Sequence, residues 1–558
     1  FIVKINLNPF HFLWTKSTSI MTLWNDWAVN VAVVAVSFSL YASCMHPSVA
    51  DADNAEFMAK AHLFVNPHAP GYPLLLILAR VWNAARELGF FGNALQTEPL
   101  KVYNLLSVTL SSLSLGLMYR VCRLCGCRPG AALAGVAIFG FAPHLRTYAT
   151  QLEVFSLNHA LIGLMIFAAT KFDAAVGTPS ARTWLLFGCA VSGLAMSNQH
   201  TTILFILPMI IWVLWRWPGA LRHSLSCVLC IFVGLSPYLA LVATMSNRPQ
   251  LIMGSGETDS WNGMVCHFLR REFGTFSLVG NEPGVIDNGG SWKNWVFYFE
   301  ELQQQTMGVL WIFAGIGAAF GIIKYSRTSP SQSLWVLFVL MIVFYTTVMA
   351  TLSNMKLDGV LIDVMRRFTF QPLFVVSILI AKGLSETVDL LRCESLSLLI
   401  DFCVGILVLI MQVTLHWADH GNDRVMESFA RLAIEGLPKG ALLFALGDAP
   451  LFSTMAVAFA ANVRPDLFIL SANMLLSDSA VSLFKRSLNI QLPGDRYGYL
   501  PGNFNAREFL DTIIKKHGLR VFYIGSRMFV DEDHSFADAY AVRLAGISNE
   551  IIPKEYHE

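Results

Sequence analysis

The stretch "DADNAEFMAKAHLFVNPHAPGYPLLL", residues 51–76, decides how this chain reads. It sets three acids (Asp51, Asp53, Glu56) and two histidines (His62, His68) beside a Pro/Gly-rich turn, between two apolar runs. Asp53 and Glu56 lie three residues apart, so on a helix they share one face. Acids at a helix start also complement its N-terminal dipole, and a solvated helix start would account for them on its own. The "NPHAPGYP" that follows (66–73) argues for more. His68, Pro70, Gly71 and Pro73 turn the chain tightly, which would hold the acids against the structure built by the apolar runs.

Those runs are membrane spans. Of the 558 residues 55% are hydrophobic and 14% charged, with a mean hydropathy of +0.53. Soluble domains carry about 25% charged residues. A net charge of +1 and the lack of a basic stripe argue against a nucleic-acid partner. Ten cysteines are scattered; Cys122, Cys125 and Cys127 cluster, but without the second pair of a zinc site, and read as thiols at a helix end.

A span needs about 20 mostly apolar residues. Segments 27–45, 103–122, 131–148, 155–171, 183–198, 200–216, 223–246, 306–324, 333–352, 368–385 and 396–417 qualify, about eleven spans in all. Residues 71–88 are amphipathic and contain Arg80, Asn83 and Arg86, so they read as a helix lying on the membrane surface. Residues 1–24 read as a tail, polar and aromatic without a helical stripe, with Met21 a plausible start and the run from Trp27 long enough for a signal anchor.

The positive-inside rule then sets orientation. With a cytosolic N-terminus, Arg120, Arg123, Arg128, Lys171, Arg182, Arg216, Arg222, Lys324, Arg327 and Arg392 fall in cytosolic loops. The first lumenal loop (46–102), the loops near 147–155 and 198–200, a second large loop (247–305), 353–367 and the C-terminal tail fall opposite. There they gather Asp53, Glu56, His68, Glu153, Asn158, Gln199, His200, Arg270, Arg271, Arg366 and Arg367. Ionisable groups at a bilayer boundary are functional candidates by default. Acids meeting arginines at one face suggest a site that takes a proton and holds an anion.

From about residue 418 the chain reads as a small α/β domain. "GALLFALGD" (440–448), "RPDLFIL" (464–470) and "LRVFYIG" (519–525) look like strands with helical stretches between, such as 505–518. The fold expected is therefore an all-α polytopic bundle (25–417) carrying a C-terminal α/β domain (418–558).

Taken in order, the motifs resemble the transmembrane family of protein O-mannosyltransferases, whose animal member modifies IPT domains of receptors and which has bacterial homologues. "DNAEFMAKAHLFVNPHAPGYPL" is similar to that family's "D-S-G-E … H-P-P-G-Y-P". "KVYNLLS" (101–107), "EVFSLNH" (153–159), "SNQHT" (197–201), "GLSPYL" (234–239), "HFLRREFGTFSL" (267–278), "RRFTFQP" (366–372) and "GDAPLF" (447–452) follow. Asn54-Ala55 stands where the family has Ser-Gly, Ala69 replaces a proline, and Arg271 replaces an acid.

The resemblance implies a GT-C glycosyltransferase of the endoplasmic reticulum membrane with a lumenal site, or of the plasma membrane in a bacterial host. It implies a dolichyl-phosphate mannose donor and a lumenal or secretory protein acceptor. Asp53 would be the base and Glu56 would orient it or the acceptor. Arg270 and Arg367, with Arg271 and Arg366 as alternates, would hold the donor phosphate. His200 and His68 would add a hydrogen bond or a proton. Tyr72, Asn104, Glu153, Asn158 and Gln199 would line the substrate site. No cofactor or metal is required, since the arginines neutralise the phosphate, although the acids could hold a divalent ion. A transferase using a different lipid-linked sugar stays open, and so do two other classes. A transporter would also carry intramembrane charges but tends to show internal repeats, none of which is evident. A non-catalytic scaffold of the same fold would keep the bundle without the chemistry.

Overall fold

A computed structural model describes residues 9–243, 253–254, 260–271, 274, 291–323, 331–353, 355–390, 394–415, 419–525, 528–529 and 533–556. Lys324, Arg327, Arg392 and the "TFSL" end of the 267–278 motif lie outside them.

The expected spans are helices, with differences that the prolines explain. Among the described residues six helices are long and apolar enough to cross a membrane: 26–44, Pro99–Leu124, Val154–Ala175, 218–235, Gln332–Leu352 and Phe370–Asp389. Shorter apolar helices occupy 129–140, 200–216, 311–323 and 399–411. The single span expected over 131–148 is two helices, Pro129–Gly140 and Pro143–Ala149. Ala142 precedes a proline and takes extended backbone (φ −55°, ψ 136°), which ends the first helix. The 223–246 segment likewise breaks into Ser224–Leu235 and Pro237–Ala243 at Pro237. From Pro9 on, the tail expected over 1–24 is instead part of the first helix, Pro9–Cys44, in a stretch with no glycine or internal proline to stop it; residues 1–8 lie outside the described residues. Residues 73–87 form one 15-residue helix, about 22 Å long, too short to span.

Glycines let helices touch. A methyl on Gly317 would lie 2.0 Å from the Leu379 carbonyl oxygen, and one on Gly383 2.0 Å from that of Phe313, so these helices meet backbone to backbone. Gly193 and Gly234 make the same reciprocal contact, each within 2.2 Å of a facing carbonyl. Small residues at crossings are what membrane helices use to gain packing where no hydrophobic force separates lipid from protein. Gly317→Val should therefore lower stability by at least about 1–3 kcal/mol, read as a lower midpoint of thermal unfolding in detergent; an unchanged midpoint would mean that the two helices are free to separate.

Polar contacts sort to two ends. At one end Arg123 pairs with Asp26 (2.9 Å), Arg128 with Asp389 (2.6 Å), and Arg216 with the buried Asp173 (2.9 Å). There too the buried Asp401 accepts hydrogen bonds from the Gly130 and Ala131 amides (both 2.8 Å), capping the helix that starts at Pro129. The other end collects the residues expected on one face, described below.

The C-terminal part is a five-stranded sheet: β1 (Leu442–Ala445), β2 (Phe468–Ser471), β3 (Val521–Ile524), β4 (Tyr540–Ala545) and β5 (Ser548–Pro553), in the order β2-β1-β3-β5-β4. The first three strands, those read from the sequence, are parallel and β1 is fully buried. The β4–β5 hairpin turns on Gly546, at φ 68°, and Ile547. The helix Asp448–Met455 packs this domain onto the helix Ala52–Leu63. Arg424 to Glu98 (3.0 Å) and a His46–His420 ring stack (4.3 Å) tie the preceding linker to the same region.

Candidate active site

The acids sit on the helix Ala52–Leu63, and its start is held from several directions. Asp51 is the N-cap: one oxygen accepts the Asn54 amide (2.8 Å) and the other the Gln151 side chain (2.7 Å). Burial pushes its carboxyl above the usual range. Asn54 is buried and donates to Asn104 Oδ1 (3.0 Å) and the Leu152 carbonyl (3.2 Å). Asn104 in turn donates to the carbonyls of His46 (2.9 Å) and Ser48 (2.8 Å). The sequence places Asn104 among substrate ligands; the structure spends its amide on main chain and Asn54, so it is part of the scaffold that fixes the acids.

One turn inward, Asp53 is ion-paired with Arg367, 314 residues away. Arg367 also donates from Nε to the Tyr148 hydroxyl (2.9 Å) and lies 5.2 Å over the Tyr148 ring. Burial works against the guanidinium, but Glu153, Tyr148 and Asp53 outweigh it and raise its pKa further. Glu153 is buried beside this pair. Burial, and then the Asp53 charge, push its carboxyl well above the usual range. Its Oε1 has no hydrogen-bond partner among the described residues.

Glu56, three residues after Asp53, is fully buried and bonds His68 twice: Oε1 accepts the amide (2.9 Å) and Oε2 faces ring Nδ1 (2.5 Å). The other ring nitrogen, Nε2, meets the Tyr72 hydroxyl at 3.1 Å. Burial alone would raise Glu56 and lower His68, yet each charge outweighs it in the other: Glu56 is lowered and His68 raised. Behind them Lys60, buried, is pushed down to about 8 by desolvation and donates to the Met253 carbonyl.

The signs set a pH window. A raised His68 contributes stability fully below the free imidazole value of about 6.5, lost as pH rises through its folded value; a lowered Glu56 contributes above about 4.3, lost as pH falls. The midpoint difference between wild type and His68→Gln should thus be widest between about pH 4.3 and 6.5 and narrow at alkaline pH. A difference independent of pH would contradict the ion pair.

The turn after His68 is shaped for close approach. Gly71 has φ 96°, and a methyl there would sit 2.8 Å from Leu241; Tyr72 follows at φ 43°, a region non-glycine residues rarely enter. Tyr238 donates to the Pro70 carbonyl (3.4 Å) and meets His200 Nε2 (2.9 Å), with Phe268 against both rings (4.9 Å each). Two residues past Phe268 comes Arg270, also at positive φ (53°), close enough for its charge to act on His68 and Tyr72.

Not every candidate joins this group. Arg366 bonds Glu301 (2.7 Å) and Asp363 (2.7 Å), so its charge is already answered. Arg271 is exposed. Gln199 accepts from Gln371 (3.2 Å), one layer inside the bundle. Asn158 is fully buried with neither amide atom bonded among the described residues. The sequence reading missed Tyr148, Tyr238 and Lys60, apolar-looking or isolated positions whose partners lie far along the chain. One ligand atom each from Asp53, Glu56 and His68 lies within 4.8 Å of the others. A cation entering there would compete with Arg367 and with the His68 ring.

Residues 53–218 match the family described as the protein O-mannosyl-transferase TMEM260 N-terminal domain. Over that part the chain is similar to the TMEM260 family. The protein O-mannosyl-transferase tmem260 of Dictyostelium discoideum is 26% identical over a 562-residue alignment, covering 92% of this chain and 65% of the relative. The protein O-mannosyl-transferase TMEM260 of Mus musculus is 29% identical over 515 residues, covering 88% and 70%. The chain thus spans roughly two thirds of the length of these TMEM260 relatives. The TMEM260 match begins at Asp53, the carboxylate that Arg367 holds. Among solved structures, apo ArnT from Cupriavidus metallidurans superposes with a TM-score of 0.51 at 13% identity, covering 95% of this chain and 98% of ArnT. That likeness shows that the chain shares the fold of ArnT.

Proposed function

We propose that the chain is a membrane glycosyltransferase that moves mannose from dolichyl-phosphate mannose to Ser or Thr hydroxyls of a lumenal protein. The observation that carries this reading is the Asp53–Arg367 pair, a base and a phosphate ligand held together at the end of the bundle where Glu56, His68, Tyr72 and Glu153 converge.

The reaction is a single inverting displacement. The acceptor oxygen bonds to the anomeric carbon as the bond from that carbon to the phosphate oxygen breaks, and the hydroxyl proton passes to the Asp53 carboxylate. Arg367, a planar fork suited to phosphate oxygens, turns from Asp53 to the leaving dolichyl phosphate, with Arg270 as a second cation. Glu56 acts at one remove: its bonds to His68 fix the turn that carries Tyr72. Glu153 Oε1 and the Asn158 amide, without partners among the described residues, supply hydrogen bonds to sugar hydroxyls, since a buried polar group without a partner is costly unless a ligand supplies one. Catalysis on this account needs no resident metal. The membrane is that of the endoplasmic reticulum, with the site on the lumenal face.

A photoreactive dolichyl-phosphate mannose analogue tests this. It should label the wild-type chain and be displaced by unlabelled donor. Labelling that ignores competitor would remove the donor assignment.

A further inference from the structure

The C-terminal sheet brings a crevice up to the acids. From β1 the chain crosses to β2 on one side, then returns to β3 on the other, so the strand order reverses at β1. In open parallel sheets ligands bind beyond the carboxyl ends of the strands at such a reversal. A cavity of about 140 Å³ lies there, lined by Leu446, Ala472, Leu475, Leu476, Tyr497 and Phe529. Asn473 adds a polar edge to these walls, and the size suits one Leu- or Phe-sized side chain.

The cavity adjoins the catalytic end of the bundle. Leu446 lines it, and Asp448, two residues on and so at most about 7 Å along the chain, is exposed at the start of the helix that packs on the acidic helix. Four residues later Phe452 lies 5.5 Å from the Lys60 ammonium. Asp448 is within the electrostatic reach of Glu56, Asp53 and His68. Neither it nor the cavity has a part in the donor chemistry described above.

We propose that this crevice is the acceptor subsite: Asp448 accepts a hydrogen bond from the acceptor's backbone, and the cavity takes an apolar side chain a few residues from the Ser or Thr that is modified. The inference rests on the transferase reading for its substrate class. It predicts that the enzyme selects acceptors by a bulky apolar neighbour, and that the C-terminal domain, not the bundle, makes that selection.

Binding separates the two ideas. The probe is a fluorescein-labelled peptide with one Thr and a Phe two residues before it, measured by anisotropy against the full chain in detergent. Wild type and Asp53→Asn should bind it alike. Leu476→Trp, a half-exposed rim position where a larger ring fills the cavity without disturbing the core, should weaken binding at least about tenfold. Asp448→Asn should weaken it also, and replacing the peptide's Phe by Gly should reproduce the loss on wild type. In transfer assays both variants should raise the acceptor KM and leave the donor KM unchanged, a split that a folding defect would not give. Binding lost in both variants without any transfer by wild type would keep the crevice and remove the transferase. Transfer by wild type with binding and acceptor KM unmoved in Leu476→Trp, or no measurable peptide binding to wild type, would overturn the crevice.

Discussion

Asp53→Asn will lower mannose transfer by about 10²–10⁴-fold, the usual contribution of a positioned general base, while the helical bundle stays folded. The substitution keeps the shape of the side chain and an oxygen for Arg367, and removes the capacity to take the acceptor proton. The loss should fall on kcat, because donor contacts are left in place. Glu56→Gln is the internal comparison. Glu56 is buried and its oxygens are taken up by His68. Its variant should lose activity through a displaced Tyr72 turn and lose stability with it. Near wild-type turnover by Asp53→Asn, with turnover abolished in Glu56→Gln, would move the base to Glu56.

Arg367→Ala will cost about 10²–10³-fold in kcat, the scale seen when one donor to a developing anion is removed, and will raise the donor KM. Arg367→Lys should recover part of the loss, since an ammonium restores charge but not the forked geometry. The adjacent Arg366 is the control that the fold provides. It faces Glu301 and Asp363, so Arg366→Ala should destabilise the protein and leave the donor KM near wild type. Equal donor dependence in the two alanine variants would return Arg367 to a structural role.

Much of this was legible in the sequence, and the parts that were not share a cause. Apolar runs located most helices, and charge bias sorted the polar residues to the end where the structure gathers them. Asp53, Glu56 and His68 could be placed near one another in advance because a single helix and one turn hold all three, but the Glu56–His68 pair itself was not read, His68 having been given to the phosphate. Arg367 could be preferred over Arg366 from its motif, but its partner could not be read, because successive helical residues point some 100° apart and only the packing decides which one meets Asp53. Asn104 looked like a ligand since a buried amide in a membrane helix invites that reading; its answer lay in carbonyls of a distant loop. The breaks at Pro143 and Pro237 were marked in the sequence, and were overridden by hydropathy windows longer than the helices. The Gly546-Ile547 hairpin has only one glycine as its turn signal, beside a strand of six residues. Asp448 stood out only as a strand end and in the "GDAPLF" motif, since its place beside the acids comes from docking a sheet onto the bundle.

The most direct measurement is transfer by the purified chain in detergent, supplied with radiolabelled dolichyl-phosphate mannose and a Ser/Thr-bearing protein acceptor. The account predicts label on the acceptor hydroxyls, with the anomeric configuration inverted relative to the donor. Label that stays on the lipid, or a product that retains the donor's configuration, would contradict a direct displacement assisted by Asp53.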